Sequence, residues 1–229
     1  MFNLHSFAPH LPGFRFRRSV AALLVGLATV LLAPAAGSQR GTQVHDPAAL
    51  KPPAGARVAI VEFVDMECPV CATTNPIVEK AAATYKIPLV RHDFLIPSHA
   101  WSGIAAINAR WFDTKSKALG DQYRDQVFAN QPTFYNNPEL LRQFTEKFAA
   151  SHHIVMPVPI DPQGKLANAL KADNELGMRT GIEHTPTVFV VTSNSKGAPY
   201  IEVQRPDQHL YETIDQAILD TKGNAPHSK

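Results

Sequence analysis

Cys68 and Cys71 are the two cysteines of this 229-residue chain, and two residues separate them. Thiols at that spacing hold a metal, form an inert structural disulfide, or carry electrons as a disulfide–dithiol pair. A zinc site needs two further ligands. No His-x3–5-His pair follows the cysteines, and His152 and His153 are adjacent. The flanking sequence favours redox work. An apolar, β-branched run from Val58 to Val64 leads into Glu67-Cys68-Pro69-Val70-Cys71, and helix-compatible sequence follows at once. A cysteine at a helix N-terminus meets unpaired backbone N–H groups and the positive end of the helix dipole, so its thiolate is stabilised. Pro69 suits the first helical position, where the missing N–H has no partner in any case. Cys68 is therefore expected to be an exposed, acidic thiol. Cys71, one turn in, is expected to be buried and close enough to attack a mixed disulfide.

Two further features lie around this pair. Glu62 is a carboxylate inside the apolar run. It is either an exposed strand position or a buried acid near the sulfurs, where desolvation raises the pKa into a range useful for proton transfer. Further on, Gly181-Ile182-Glu183-His184-Thr185-Pro186-Thr187 runs into the β-forming Val188-Phe189-Val190-Val191. An X-Pro bond is the one place where a cis peptide is cheap, and a proline belongs at the start of a strand. Thr185–Pro186 is thus expected to be a cis bond at a strand entry, beside the Cys68 sulfur.

The chain begins with a basic, acid-free stretch carrying Arg15, Arg17 and Arg18, then an apolar run from Val20 to Leu32, then Ala33-Pro34-Ala35. This is the pattern of a secretory signal peptide over residues 1–35. The run is short for a membrane span of about 20 residues, though an uncleaved anchor is the alternative. Without this segment the formal net charge of +2 falls by three, to −1. The basic balance belongs to the leader and gives no argument for nucleic-acid binding. An exported chain meets oxidising conditions, and two cysteines are too few for a disulfide framework. A redox pair fits better.

The elements that must position the thiols can also be read. Residues 36–55, rich in Gly, Pro and Ala, suggest a flexible lead-in. A strand over 57–64, a helix from Cys68 to about Tyr85 and a strand over 88–95 make a parallel βαβ unit. Residues 98–176 read as helices, with Ser98 as a first cap, a second helix from Lys117, and Asn137-Pro138 and Asp161-Pro162 as starts of two more, the last ending near Gly177. This is a helical domain inserted into an α/β body over 56–222. A hairpin at 194–199, a strand from Tyr200 and a helix from Gln208 close it, and the tail 223–229 is expected to be disordered. For His92, His99, His152 and His153, surface or hydrogen-bonded core positions are the expectation.

Taken together these residues resemble the DsbA-like thioredoxin-fold oxidoreductases. Glu62-Phe63 through Cys68-Pro69-Val70-Cys71 is similar to the family's Glu-Phe-x-Asp-x-x-Cys-Pro-x-Cys start. Arg91 to Ala109 and Val127-Phe128-Ala129-Asn130-Gln131 are similar to parts of its helical insertion, and Gly181 to Val190 to its cis-proline loop. The resemblance implies a thioredoxin-like fold: a central mixed β-sheet with flanking helices and a helical insertion. It implies that Cys68 is the nucleophile, Cys71 the resolving thiol and Glu62 a buried acid, with Thr185, Pro186 and His184 in the substrate-contacting loop. Pro69 and Val70 form the active-site dipeptide. Val70 stands where strongly oxidising members carry histidine, His184 replaces the common glycine, and Glu67 adds a negative charge; these bear on redox strength, not on reaction class. The implied activity is that of an exported, periplasmic dithiol oxidase needing no cofactor or metal. Its implied partners are reduced, unfolded secreted proteins and a membrane-bound reoxidising protein. No dimerisation domain is visible, so a monomer is expected. A reductase or isomerase, or a chaperone or metal-binding module on the same fold, are the alternative readings.

Overall fold

The structure is a computed structural model that describes residues 41–193 and 199–222. The signal segment, the first residues of the lead-in, most of the hairpin turn and the tail read from the sequence lie outside the described residues. Among the described residues, no helix is long and apolar enough to cross a membrane.

Strand β1 (Val58–Val64) is buried along its whole length, which explains an apolar run without alternation. It pairs in parallel with β2 (Leu89–Asp93) and antiparallel with β3 (Thr187–Thr192), which pairs antiparallel with β4 (Tyr200–Glu202). The order is β2-β1-β3-β4, a mixed sheet with β1 central. Helix α1 (Pro69–Tyr85) and helix α6 (Pro206–Lys222) cover one face. Val78, Ala81, Leu210 and Ile214 pack there on Val58, Ile60, Val188 and Val190.

Between β2 and β3 stand four helices: α2 (Ser102–Asp113), α3 (Lys117–Phe134), α4 (Pro138–Ser151) and α5 (Lys165–Thr180). Ser116 and Asn137 cap α3 and α4 through their side chains. An aromatic core of Trp101, Trp111, Phe112, Tyr123, Phe134 and Phe148 holds the four together and continues into Val64, Met66, Cys68 and Cys71. Arg110 ties this insertion to the sheet, with Nη2 2.6 Å from both Asp93 Oδ2 and Asp173 Oδ2.

Several boundaries differ from the sequence reading: α2 starts at Ser102, past the cap read at Ser98, and α6 starts at Pro206, ahead of Gln208. Helix α5 starts at Lys165, and Asp161 Oδ2 accepts the Ala167 N–H at 2.9 Å inside the first turn. It also runs through Gly177, whose hydrogen makes room for Phe94; a Cβ there would stand 2.3 Å from the ring. The helix ends at Gly181, where φ is +95° and a Cβ would meet the Gln43 carbonyl at 2.3 Å. That close approach is made by the lead-in, which from residue 41 is docked on the domain. The His45 N–H donates to the Thr180 carbonyl at 3.0 Å, and the Thr42 N–H donates to Glu202 Oε2 on β4. Leu50, 1% exposed, joins Val61, Phe63, Phe94 and Phe189 on the second face of the sheet. Burying such a side chain contributes about 1.5–3 kcal/mol, which a free lead-in would forgo.

Candidate active site

Cys68 is the N-cap of α1, in extended conformation, with Pro69 at the first helical position. Its carbonyl accepts the Ala72 N–H at 3.2 Å, and its own N–H donates to the Asp65 carbonyl at 3.1 Å. The backbone N–H groups of Val70 and Cys71 consequently face the Cys68 sulfur. The Cys71 thiol donates to it and is the largest influence; burial opposes, and Thr185 adds to the same side. The result is a Cys68 pKa lowered to about 5. Cys71 moves the other way: burial pushes it far up, and its hydrogen bond to Cys68 adds to the rise. One thiol is set to ionise, and its neighbour to keep the proton.

Cys68 was expected to be exposed, and the structure corrects this. It is 8% exposed and Cys71 1%. The cause is tertiary: the Thr185 carbonyl lies 3.3 Å from Cys68 Sγ, and α3 closes the other side of the loop. Beside the pair lies a cleft of about 800 Å³ lined by Val70, Thr73, Ile77, His184, Pro186 and Arg205, among others. The Thr185–Pro186 peptide is cis. His184 is exposed on the cleft wall, and its carbonyl accepts the Thr187 hydroxyl at 2.7 Å. Pro69 and Val70 are exposed, Val70 to 58%.

Glu62 is 2% exposed, on the sheet face that carries α1. Its partner corrects the picture of an isolated desolvated acid. Arg91, directly across the β1–β2 ladder, donates its Nε–H to Glu62 Oε1. The same guanidinium reaches Asn75 Oδ1 at 2.7 Å and Glu79 Oε1 at 2.9 Å, and Asn75 Nδ2 donates to Asp125 Oδ1 at 2.9 Å. Glu62 is a paired carboxylate at the end of a polar chain that links β1, β2, α1 and α3. Charge in such a place demands a partner. Arg91 in the second strand was the signal that could have found it.

Glu67 also differs from its sequence reading as a charge opposing Cys68. Its Oε2 accepts the N–H groups of Trp101 at 2.6 Å and Ser102 at 2.9 Å. It caps α2 from across the chain, in the place given to Ser98, and the positive helix end takes up its charge. Asp65, 1% exposed, holds the loop from within through the N–H groups of Glu67 and Ile96, each at 2.8 Å. His99 Nδ1 sits 2.9 Å from Asp65 Oδ2. Among the described residues no cluster of His, Cys, Asp or Glu is arranged to hold a metal ion.

A family model described as thioredoxin matches residues 54–205. The chain belongs to this family, has a DsbA-like thioredoxin fold, and carries the Cys-x-x-Cys pair of a thiol–disulfide oxidoreductase. Among solved structures it is similar to BdbD from Bacillus subtilis, at 17% identity and a TM-score of 0.60, covering 78% of this chain and 98% of that one. It is also similar to α-DsbA1 from Wolbachia pipientis, at 16% identity and TM-score 0.57 over 76% of this chain and 94% of that one. DsbA2 from Pseudomonas aeruginosa gives 19% identity and 0.54 over 77% and 96%. At these identities the likeness is one of fold. No curated protein sequence matches.

Proposed function

We propose that the protein is an exported dithiol oxidase that passes its Cys68–Cys71 disulfide to cysteine pairs of reduced, unfolded secreted proteins. The observation that carries this reading is the opposed pair of thiols. A substrate thiolate attacks Cys68 Sγ, the Cys68–Cys71 bond breaks, and Cys71 leaves and takes a proton in its buried position. The second substrate thiol then attacks the substrate sulfur of the mixed disulfide. Cys68 departs as a thiolate, and a low-pKa thiol is the better leaving group. Two electrons pass from substrate to enzyme, which ends as the dithiol. Stabilising the Cys68 thiolate stabilises that reduced form, which is what makes an oxidant.

The cleft beside Pro186 suits an extended chain paired along the cis-proline backbone. The leader supports a periplasmic location, with reoxidation by a membrane-bound disulfide-carrying protein and a monomeric state. Without an imidazole at Val70, the expected potential lies between about −120 mV and about −270 mV. Equilibration with glutathione, followed by quantifying the Cys68–Cys71 disulfide, tests this. A value below about −270 mV makes the protein a reductase and overturns the proposed direction.

A further inference from the structure

The redox loop is gripped by a side chain that belongs to neither the thioredoxin body nor the cleft. Gln131 lies near the end of α3, in the helical insertion. Its Nε2 donates to the Met66 carbonyl at 2.6 Å and to the Cys68 carbonyl at 3.0 Å. One carboxamide thus supplies both of its N–H groups to two carbonyls of the same loop, 65 and 63 residues away in sequence. Met66 is 2% exposed and Cys68 8%, so water replaces such a donor poorly.

The Cys68 carbonyl has a second duty: it accepts the Ala72 N–H and so begins the hydrogen-bond ladder of α1. Its peptide plane also carries Pro69. The orientation of that plane fixes how the first turn leaves Cys68, and with it where the Val70 and Cys71 N–H groups point. Both N–H groups act on the Cys68 sulfur. Two carbonyl oxygens on one side of a tight loop repel each other. Without a shared donor the loop relaxes by rotating its peptide planes, which turns the N–H groups away from the thiolate.

We infer that Gln131 is a positioning residue for the redox pair, through which the helical insertion sets the ionisation of Cys68. It touches neither sulfur; it acts through the Met66 and Cys68 carbonyls. The inference rests on thiol–disulfide exchange at Cys68 and not on the direction of electron flow. It also gives the insertion a task in the chemistry itself.

The effect falls on one redox state more than the other. In the reduced protein the Cys68 sulfur carries charge and gains from well-aimed N–H groups; in the disulfide it is neutral. The test uses the full chain with Gln131→Met, which keeps length without donors, and Gln131→Glu, which keeps shape but offers acceptors. The Cys68 titration, followed by thiolate absorbance at 240 nm, is expected to rise by about one pH unit in Gln131→Met, a tenfold change in the ionisation constant. The equilibrium constant with glutathione is expected to fall about tenfold with it, and Gln131→Glu to shift both at least as far. Urea unfolding should show the reduced form losing more stability than the oxidised form. If both redox forms lose equal stability while the titration and the glutathione equilibrium stay at wild-type values, Gln131 is merely structural and the inference is overturned. If Gln131→Met does not fold, Gln131→Glu decides on the same readouts. A wild-type potential in the reductase range leaves this test standing, because it reads the difference between wild type and variant.

Discussion

The opposed ionisation of the two thiols makes the stability of the reduced protein a peaked function of pH. An unfolded cysteine titrates near about 8.5, whereas Cys68 is lowered to about 5. Between these values the folded reduced chain has already released the Cys68 proton and the unfolded chain still holds it. Unfolding then takes up a proton, so stability rises with pH. The contribution is fully present at about pH 8.5 and is lost as pH falls through about 5. Cys71 has the opposite sign: burial raises it, so above about 8.5 the unfolded chain ionises where the folded one does not, and stability falls again. At about 1.4 kcal/mol per pH unit, the whole Cys68 interval is worth about 5 kcal/mol. Halving for screening leaves about 2 kcal/mol. For a two-electron couple that is about 45 mV of oxidising power. The assay is urea unfolding of oxidised and reduced protein in steps from pH 4.5 to 9.5. The disulfide form has no thiols to titrate, so the difference between the two curves isolates the pair. We expect the reduced form to gain on the oxidised form from pH 5 upwards by about 2 kcal/mol, then to lose ground above 8.5. A difference that is flat, or that falls over pH 5–8.5, refutes the reasoning.

Three further outcomes follow from the same geometry. Cys71→Ser should accumulate mixed disulfides with substrate proteins on non-reducing gels and Cys68→Ser none; equal trapping by both would remove the assigned order of attack. Arg91→Met should cost about 3–5 kcal/mol in urea unfolding, because it strands the Glu62 carboxylate under α1. Adding Glu62→Gln should recover part of that loss, and strictly additive costs would contradict the pairing. Glu67→Ala should cost about 1–2 kcal/mol through the lost cap on α2, and unchanged stability would show that the cap is idle.

What could be read from the sequence was what is local in it. The run Val58–Val64, the Cys-x-x-Cys at a helix start and the Thr-Pro-Thr strand entry each declare themselves within a dozen contiguous residues, and each maps onto the element it suggests. The rest depends on neighbours far along the chain. Glu62 could be suspected of burial, but its counter-charge is 29 residues away and follows from the β1–β2 register. Glu67 read as a charge next to a sulfur because its acceptors' donors, Trp101 and Ser102, come from the insertion. Gln131 sits in a stretch that the family resemblance marked without giving it a task. Gly177 read as the helix end, but the chain takes the left-handed turn that ends α5 only at Gly181, where φ is +95°.

The docked lead-in has a practical bearing on how this domain is held. Gly41 lies against Glu202 and Gln204, which belong to the rim of the cleft beside the thiols. Pro206, which opens α6, lines the same cleft, and the helix then runs 17 residues to Lys222. At 1.5 Å per residue its far end is about 25 Å from Pro206. A fusion partner, purification tag or solid support joined ahead of Gly41 therefore leaves the domain at the rim of this cleft. The same attachment joined after Lys222 leaves it at the far end of α6. Immobilisation through the C-terminal side keeps the mouth of the cleft open, whereas immobilisation through the N-terminal side crowds it.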